Sequence, residues 1–216
     1  RIKMNKKLLA YLFSLLFICG VAKAEVSYGV SLMVGQVDTS GHELEANSAS
    51  DKNSKSIEET FYGGSLFVEA SDDSGFAIGL DYVPLSVDIG SGKRTDSSTG
   101  ADAESEADTG DRSASAEVSN LLTLYTNIPV GSDGYYGLLG VHYTTIKTDE
   151  TLPNASYGDA DVFGFQVGVG MRSGNIKYEF SYSDFEDITL NSSGGSNNHK
   201  IEADADALMF KIAYGF

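Results

Sequence analysis

An all-β chain, closed into an eight-stranded antiparallel transmembrane up-and-down β-barrel, is the fold this sequence predicts. Three observations predict it. Eight segments alternate large apolar residues with small or polar ones at a period of two, which gives strands with two unlike faces. The connections between them alternate short and long without exception. Finally, Leu208 to Phe216 is itself such a strand, with Leu208, Phe210, Ile212, Tyr214 and Phe216 on one face. A strand at a chain end is an aggregation hazard unless another strand pairs with it, as the first strand of a closed barrel does.

The elements follow in order. The first places Val26, Tyr28, Val30, Leu32 and Val34 opposite Ser27, Gly29, Ser31, Met33 and Gly35. The second carries Tyr62, Gly64, Leu66, Val68 and Ala70 on one face, and the third Phe76, Ile78, Leu80 and Tyr82. The fourth, over about 116–128, is the least regular, with Leu122, Leu124 and Ile128 as its outward set. Leu139, Val141 and Tyr143 mark the fifth, and Phe163, Phe165, Val167, Val169 and Met171 the sixth. Ile176, Tyr178, Phe180 and Tyr182 define the seventh, and the C-terminal strand is the eighth. Each segment is close to the ~9–11 residues that a tilted spanning strand needs.

Three connections are short: 71–75, 129–134 and 173–175, built largely from the Gly, Ser, Asp and Asn that tight turns require. Four are long and polar: about 36–59, 86–115, 147–161 and 183–204. Short turns at one end and long loops at the other are the signature of an even-stranded membrane barrel. A secreted β-sandwich has a similar number of strands but no reason to sort its loops by length.

Charge assigns the faces. The apolar faces carry no Asp, Glu, Lys or Arg, whereas the opposite faces hold Glu69, Asp81, Glu179, Arg172, Lys177 and Lys211. A cation on the lipid face near the midplane costs ~2–4 kcal/mol, so these six are expected to line the interior. In a narrow lumen they must pair, because an unpartnered buried ion costs far more than a paired one. Tyr62, Tyr82, Tyr143 and Tyr182 at the loop ends, with Tyr28, Phe76, Tyr178 and Phe216 at the turn ends, suit two aromatic girdles.

Residues 1–24 read as a cleaved secretory signal: a basic start, an apolar run from Leu8 to Val21, then Ala22-Lys23-Ala24. Cys19 follows the bulky Ile18, a poor lipidation context. Cleavage would remove five of 15 basic and none of 31 acidic residues, leaving ten against 31 and a net charge of −21. Such a chain is not built to bind nucleic acid through phosphate neutralisation. No later segment has the ~18 consecutive apolar residues of a membrane-spanning helix.

These features resemble the small eight-stranded outer-membrane barrels of the OmpA-like and opacity-protein kind. The resemblance covers 25–216 and is carried most specifically by Gly164-Phe165-Gln166-Val167-Gly168-Val169-Gly170, the turn at 173–175, and Glu179-Phe180-Ser181-Tyr182-Ser183-Asp184-Phe185. It implies a multi-pass barrel in a Gram-negative outer membrane, in contact with lipid and lipopolysaccharide. The Leu208, Phe210, Ile212, Tyr214, Phe216 pattern would then be the signal read by the outer-membrane assembly machinery. The expected role is non-enzymatic: structure and surface presentation, adhesive or shielding, by a monomer whose lumen is largely plugged. Peptidoglycan anchoring through a further domain is not implied.

Alternatives attach to particular residues. Eight strands enclose an interior that side chains just fill, yet Gly164, Gly168 and Gly170 leave room for a narrow porin-like or small-ligand path. Some barrels of this size act on lipid A acyl chains with a His and a Ser. His142 is the only strand histidine, and no His-x-Ser accompanies it, so it is expected inside the barrel on a carboxylate. His42 and His199 read as solvated loop residues. Asp102, Glu104, Glu106, Asp108 and Asp111 could attract divalent cations, although no calcium-loop motif is present. No cofactor or resident metal is expected.

Overall fold

A computed structural model describes residues 24–44, 52–96, 110–151, 156–193 and 200–216. The signal segment before Ala24, the acidic residues 102–108 and His199 lie outside the described residues. The ten strands are β1 (Glu25–Leu44), β2 (Lys52–Ser71), β3 (Ala77–Val83), β4 (Val87–Asp96), β5 (Gly110–Val130), β6 (Tyr135–Glu150), β7 (Ala160–Ser173), β8 (Ile176–Phe185), β9 (Ile188–Asn191) and β10 (Lys200–Gly215). Every pairing between them is antiparallel.

These ten strands make eight staves. β3 and β4 both pair with β5, and β8 and β9 both pair with β10, so each couple is one stave with a break. The first break falls at Pro84, which has no N–H to give to a ladder. β1 pairs with β10 from Gly29↔Gly215 to Leu44↔Lys200 and closes the ring. The terminal strand therefore has neighbours on both sides, β1 and β8, and offers no free edge across the membrane.

The irregularity of the fourth segment has a cause. β5 carries a bulge between Ser119 and Leu122, with Asn120 at φ 55°, a left-handed conformation that asparagine tolerates better than most residues. Below the bulge Thr123, Tyr125 and Asn127 are buried inside, and Ile128 is exposed outside. Above it the inward parity changes, and Ala116 and Val118 pack on the interior.

The four long loops are shorter than the sequence suggests. Strand continues through 36–44 and 52–59, through 87–96 and 110–115, through 147–150, and through 188–191 and 200–204. The barrel thus extends well beyond its lipid-facing belt. Among the described residues the upper wall lacks a ladder in two places, between β7 and β9 and between β2 and β4. β2 pairs with β3 from Leu66↔Tyr82 to Ser71↔Ala77, but no β2–β4 ladder is formed among the described residues above it. Side chains cover the gap: Lys55 Nζ donates to Ser91 O at 3.3 Å, and Ile57 lies against Gly90, where an added Cβ would come within 3.0 Å of it.

Candidate functional site

Alternation places the belt outside. Val26, Tyr28, Val30, Leu32 and Val34 of β1 are exposed, as are Phe165, Val167 and Val169 of β7 and Phe210, Ile212, Tyr214 and Phe216 at the C-terminus. Phe216 joins an aromatic group at the turn end, its ring centroid 5.9 Å from that of Tyr28 and 5.3 Å from that of Tyr214. At the loop end Tyr143 packs on Phe163 at 5.2 Å. An apolar surface this extensive is stable only against lipid.

The interior behind the belt is ionic. The Glu69 carboxylate accepts from Arg172, from Lys177 Nζ at 2.9 Å, from Tyr125 Oη at 3.0 Å and from Asn127 Nδ2 at 3.1 Å. Lys211 Nζ lies 2.8 Å from Glu179 Oε2 and 3.2 Å from Asp81 Oδ2. Lys177 joins the two groups, 3.9 Å from Glu179 Oε1, which also accepts from Tyr136 Oη at 2.9 Å. Ser65 donates to Asp81 at 2.8 Å and shares a hydrogen bond with Ser31 at 2.5 Å. Three carboxylates thus meet three cations, and the polar groups around them take up further lone pairs. Gly79 and Gly170 are needed here, because a Cβ at either would overlap the ring of Tyr125 or Tyr136.

His142 lies inside, but its partners are not carboxylates. Nδ1 is 2.8 Å from Thr123 Oγ1, Nε2 is 2.9 Å from Ser183 Oγ, and the ring stacks on Phe185 at 5.5 Å. The carboxylates in its interior are already held by lysine and arginine, leaving hydroxyls to satisfy the imidazole. The Ser183–His142 contact joins β8 to β6, a pairing that no His-x-Ser spacing along one strand records.

Above the histidine the interior turns apolar. Val37, Ile89, Ile146, Tyr157, Val162, Ile188, Leu190 and Ala205 form one buried cluster, with Phe61, Val118 and Phe185 packed against it. Tyr157 stands apart because it belongs to no strand. Its N–H donates to Glu150 Oε1 at 2.6 Å, and its hydroxyl crosses the mouth to Glu43 on β1 at 2.5 Å. An isolated bridge between Ser156 and Ser193 links the two connections over this mouth.

The outer face changes at the same height. Glu58↔Asp38, Asp38↔Asp206 and Asp206↔Asp184 are direct cross-strand partners, so four carboxylates run in one row around β2, β1, β10 and β8. Like charges so placed repel. Partial burial, then the Asp38 and Asp184 carboxylates, push the Asp206 carboxyl above its ordinary value. Glu202 differs: hydrogen bonding from Lys200 and then His42, whose Nε2 is 3.1 Å away, holds it below the usual range. Among the described residues no group of three or more His, Cys, Asp or Glu side chains is arranged to hold a metal ion.

A closed antiparallel ring of eight staves, apolar toward lipid and ionic within, defines a transmembrane β-barrel of the outer-membrane type. Several solved structures are similar to this chain. They include OprG of Pseudomonas aeruginosa, at 12% identity and TM-score 0.51 over 91% of this chain and 98% of that one. AlkL, solved in lipid bilayers, is 12% identical with a TM-score of 0.49, over 89% of this chain and 90% of that one. Ail of Yersinia pestis, bound to a heparin analogue, is also 12% identical, with a TM-score of 0.41 over 89% of this chain and 99% of that one. No protein-family model matches the chain. No curated protein matches it either.

Proposed function

We propose that this barrel is a non-conducting, non-enzymatic surface protein that holds its external strands and loops above the outer membrane, in an adhesive or shielding role. One observation carries the reading. The lumen is filled twice, by the Glu69–Lys177–Glu179–Lys211–Asp81 network in the membrane and by the apolar cluster above it. A hydrated ion meets paired charges in one layer and hydrocarbon in the next, which opposes the porin-like alternative. Residues 1–24 serve as the secretory signal in this reading, and the assembly machinery recognises Leu208 to Phe216. Lipid and lipopolysaccharide surround a monomeric barrel, and divalent cations act as counter-ions to the acidic loops. Planar-bilayer recording of the refolded protein tests the closed lumen: no discrete openings are expected, and steady unitary currents would overturn it.

The enzyme alternative rests on the Ser183–His142 contact, which pairs a hydroxyl with a base at 2.9 Å. Both residues are buried inside the wall, away from the lipid acyl chains, and the other imidazole nitrogen meets a threonine rather than a carboxylate. Lipid A or phospholipid turnover by the wild-type protein that disappears in His142→Ala would favour it. Equal, background turnover in both would end it.

A further inference from the structure

The stopper of the outer compartment is a side chain of unusual origin. All other buried members of the apolar cluster stand on strands, whereas Tyr157 arrives on the connection between β6 and β7. Gly158 follows it at φ +69°, with open space around it, so the chain turns sharply just after the ring. Tyr157 is also the only aromatic among the cluster's buried members; the large buried side chains beside it are aliphatic, Val37, Ile89, Ile146, Val162, Ile188 and Leu190, with Phe61 and Phe185 packed against the cluster. Its hydroxyl ends on a carboxylate at the rim, Glu43. An aromatic ring thus fills an apolar compartment and donates its hydroxyl to a carboxylate at the rim.

We propose that the chamber is a ligand site for small phenol-like molecules, an aromatic body with a single hydrogen-bond donor, and that Tyr157 is its resident, exchangeable occupant. The aliphatic walls take the ring, and Glu43 takes the donor in place of the Tyr157 hydroxyl. The ionic layer beneath makes the chamber a dead end: the site binds from outside and passes nothing to the periplasm. The proposal goes beyond surface presentation and survives the failure of an adhesive role, since it needs only the chamber, the rim and the ring.

The side chain of tyrosine supplies the probe, p-cresol, and toluene is its partner without the donor. In Tyr157→Ala, checked for folding by heat-dependent gel mobility, p-cresol is expected to raise the melting temperature saturably in detergent. It should bind about tenfold more tightly than toluene, the worth of one hydrogen bond to a charged acceptor. Adding Glu43→Gln should bring the two ligands close together. Absence of saturable binding by Tyr157→Ala, or a p-cresol preference that survives Glu43→Gln, would overturn the site. Exchange is tested in the filled protein. The chain has no tryptophan, so Tyr157→Trp introduces a single reporter at the stopper. p-Cresol should shift its emission to the red over the same concentration range that stabilises the alanine variant. An emission that stays in place at saturating p-cresol identifies the ring as a fixed plug, and the proposal fails.

Discussion

The two storeys of this barrel are built from the same staves and are inverted with respect to each other. In the membrane storey the outside is Val, Leu, Phe and Tyr, while the inside holds Glu69, Asp81, Lys177, Glu179 and Lys211. In the outer storey the outside carries Glu58, Asp38, Asp206 and Asp184, while the inside holds Val37, Ile89, Ile146, Ile188 and Leu190. The solvent decides which way each storey faces. Lipid excludes charge from the wall, so polar groups turn inward and pair; water rewards the ordinary arrangement, and the apolar side chains turn inward. A strand can serve both because its period of two is indifferent to which face is greasy.

The largest effect separating the storeys comes from a buried charge. Glu69→Leu removes the near partner of Arg172 and Lys177 and leaves an almost wholly buried lysine facing Glu179 at 3.9 Å. Leaving one half of a buried ion pair costs about 3–5 kcal/mol. Thermal unfolding in detergent should show that loss, and the double variant Glu69→Leu with Lys177→Met should recover part of it. If Glu69→Leu is as stable as wild type, the ionic layer is not what holds the lower lumen together. In the outer storey Ile146→Ala should cost about 2–5 kcal/mol through a lost aliphatic contact, with no dependence on salt or pH. A change of that size at the last residue before the connection read from the sequence, about 147–161, would itself show that β6 is core to this height.

The same substitution at two heights of the outer face sharpens the contrast. Val167→Lys puts a cation into the lipid belt, for a cost of about 2–4 kcal/mol in refolding free energy into bilayers. Asp38→Lys puts it between Glu58 and Asp206, where opposite charges across strands contribute about 0.2–1 kcal/mol in the favourable direction. Equal effects at both positions would mean that the belt ends elsewhere than between Val34 and Asp38.

This inversion also explains what could be read from the sequence. The belt was legible because lipid admits only one kind of outward residue, so Val26 to Val34 or Phe210 to Phe216 repeat without interruption. The six interior charges were legible for the same reason: they occupy the other parity of strands already identified. The outer storey was not. From Gln36 to Leu44 the outward Asp38 and Ser40 alternate with Val37, Thr39 and Gly41, a stretch whose average is polar although its backbone is strand. Breaks hid the rest. The bulge at Ser119–Leu122 shifts parity in β5, and the interruption at 186–187 moves the inward set from Ser183 and Phe185 to Ile188 and Leu190. Thr123 and Ser183 reach His142 from other strands and Tyr157 reaches Glu43 from a connection, contacts between residues far apart in the chain, which no local pattern records.

Two aspartates, Asp72 exposed and Asp206 half-buried, should give the smallest effects, with opposite signs. At the turn end Asp72 is held below its ordinary value, first by the hydroxyl of Ser74, whose Oγ donates at 2.6 Å, and then by backbone N–H groups of Ser74 and Phe76. Folding therefore favours its charged form. Its contribution is present above the unfolded aspartate value of about 3.9 and is lost as pH falls through the lower folded value. Asp206 is raised, so folding favours its protonated form. Its contribution is present below that unfolded value and is lost as pH rises through the higher folded one. Asp72→Asn should flatten the acid side of the stability–pH curve, and Asp206→Asn the side just above it. Thermal midpoints followed through the carboxylate range will show whether each variant acts only on its own side. If Asp206→Asn leaves the curve unchanged, the carboxylate row repels too weakly to register in folding.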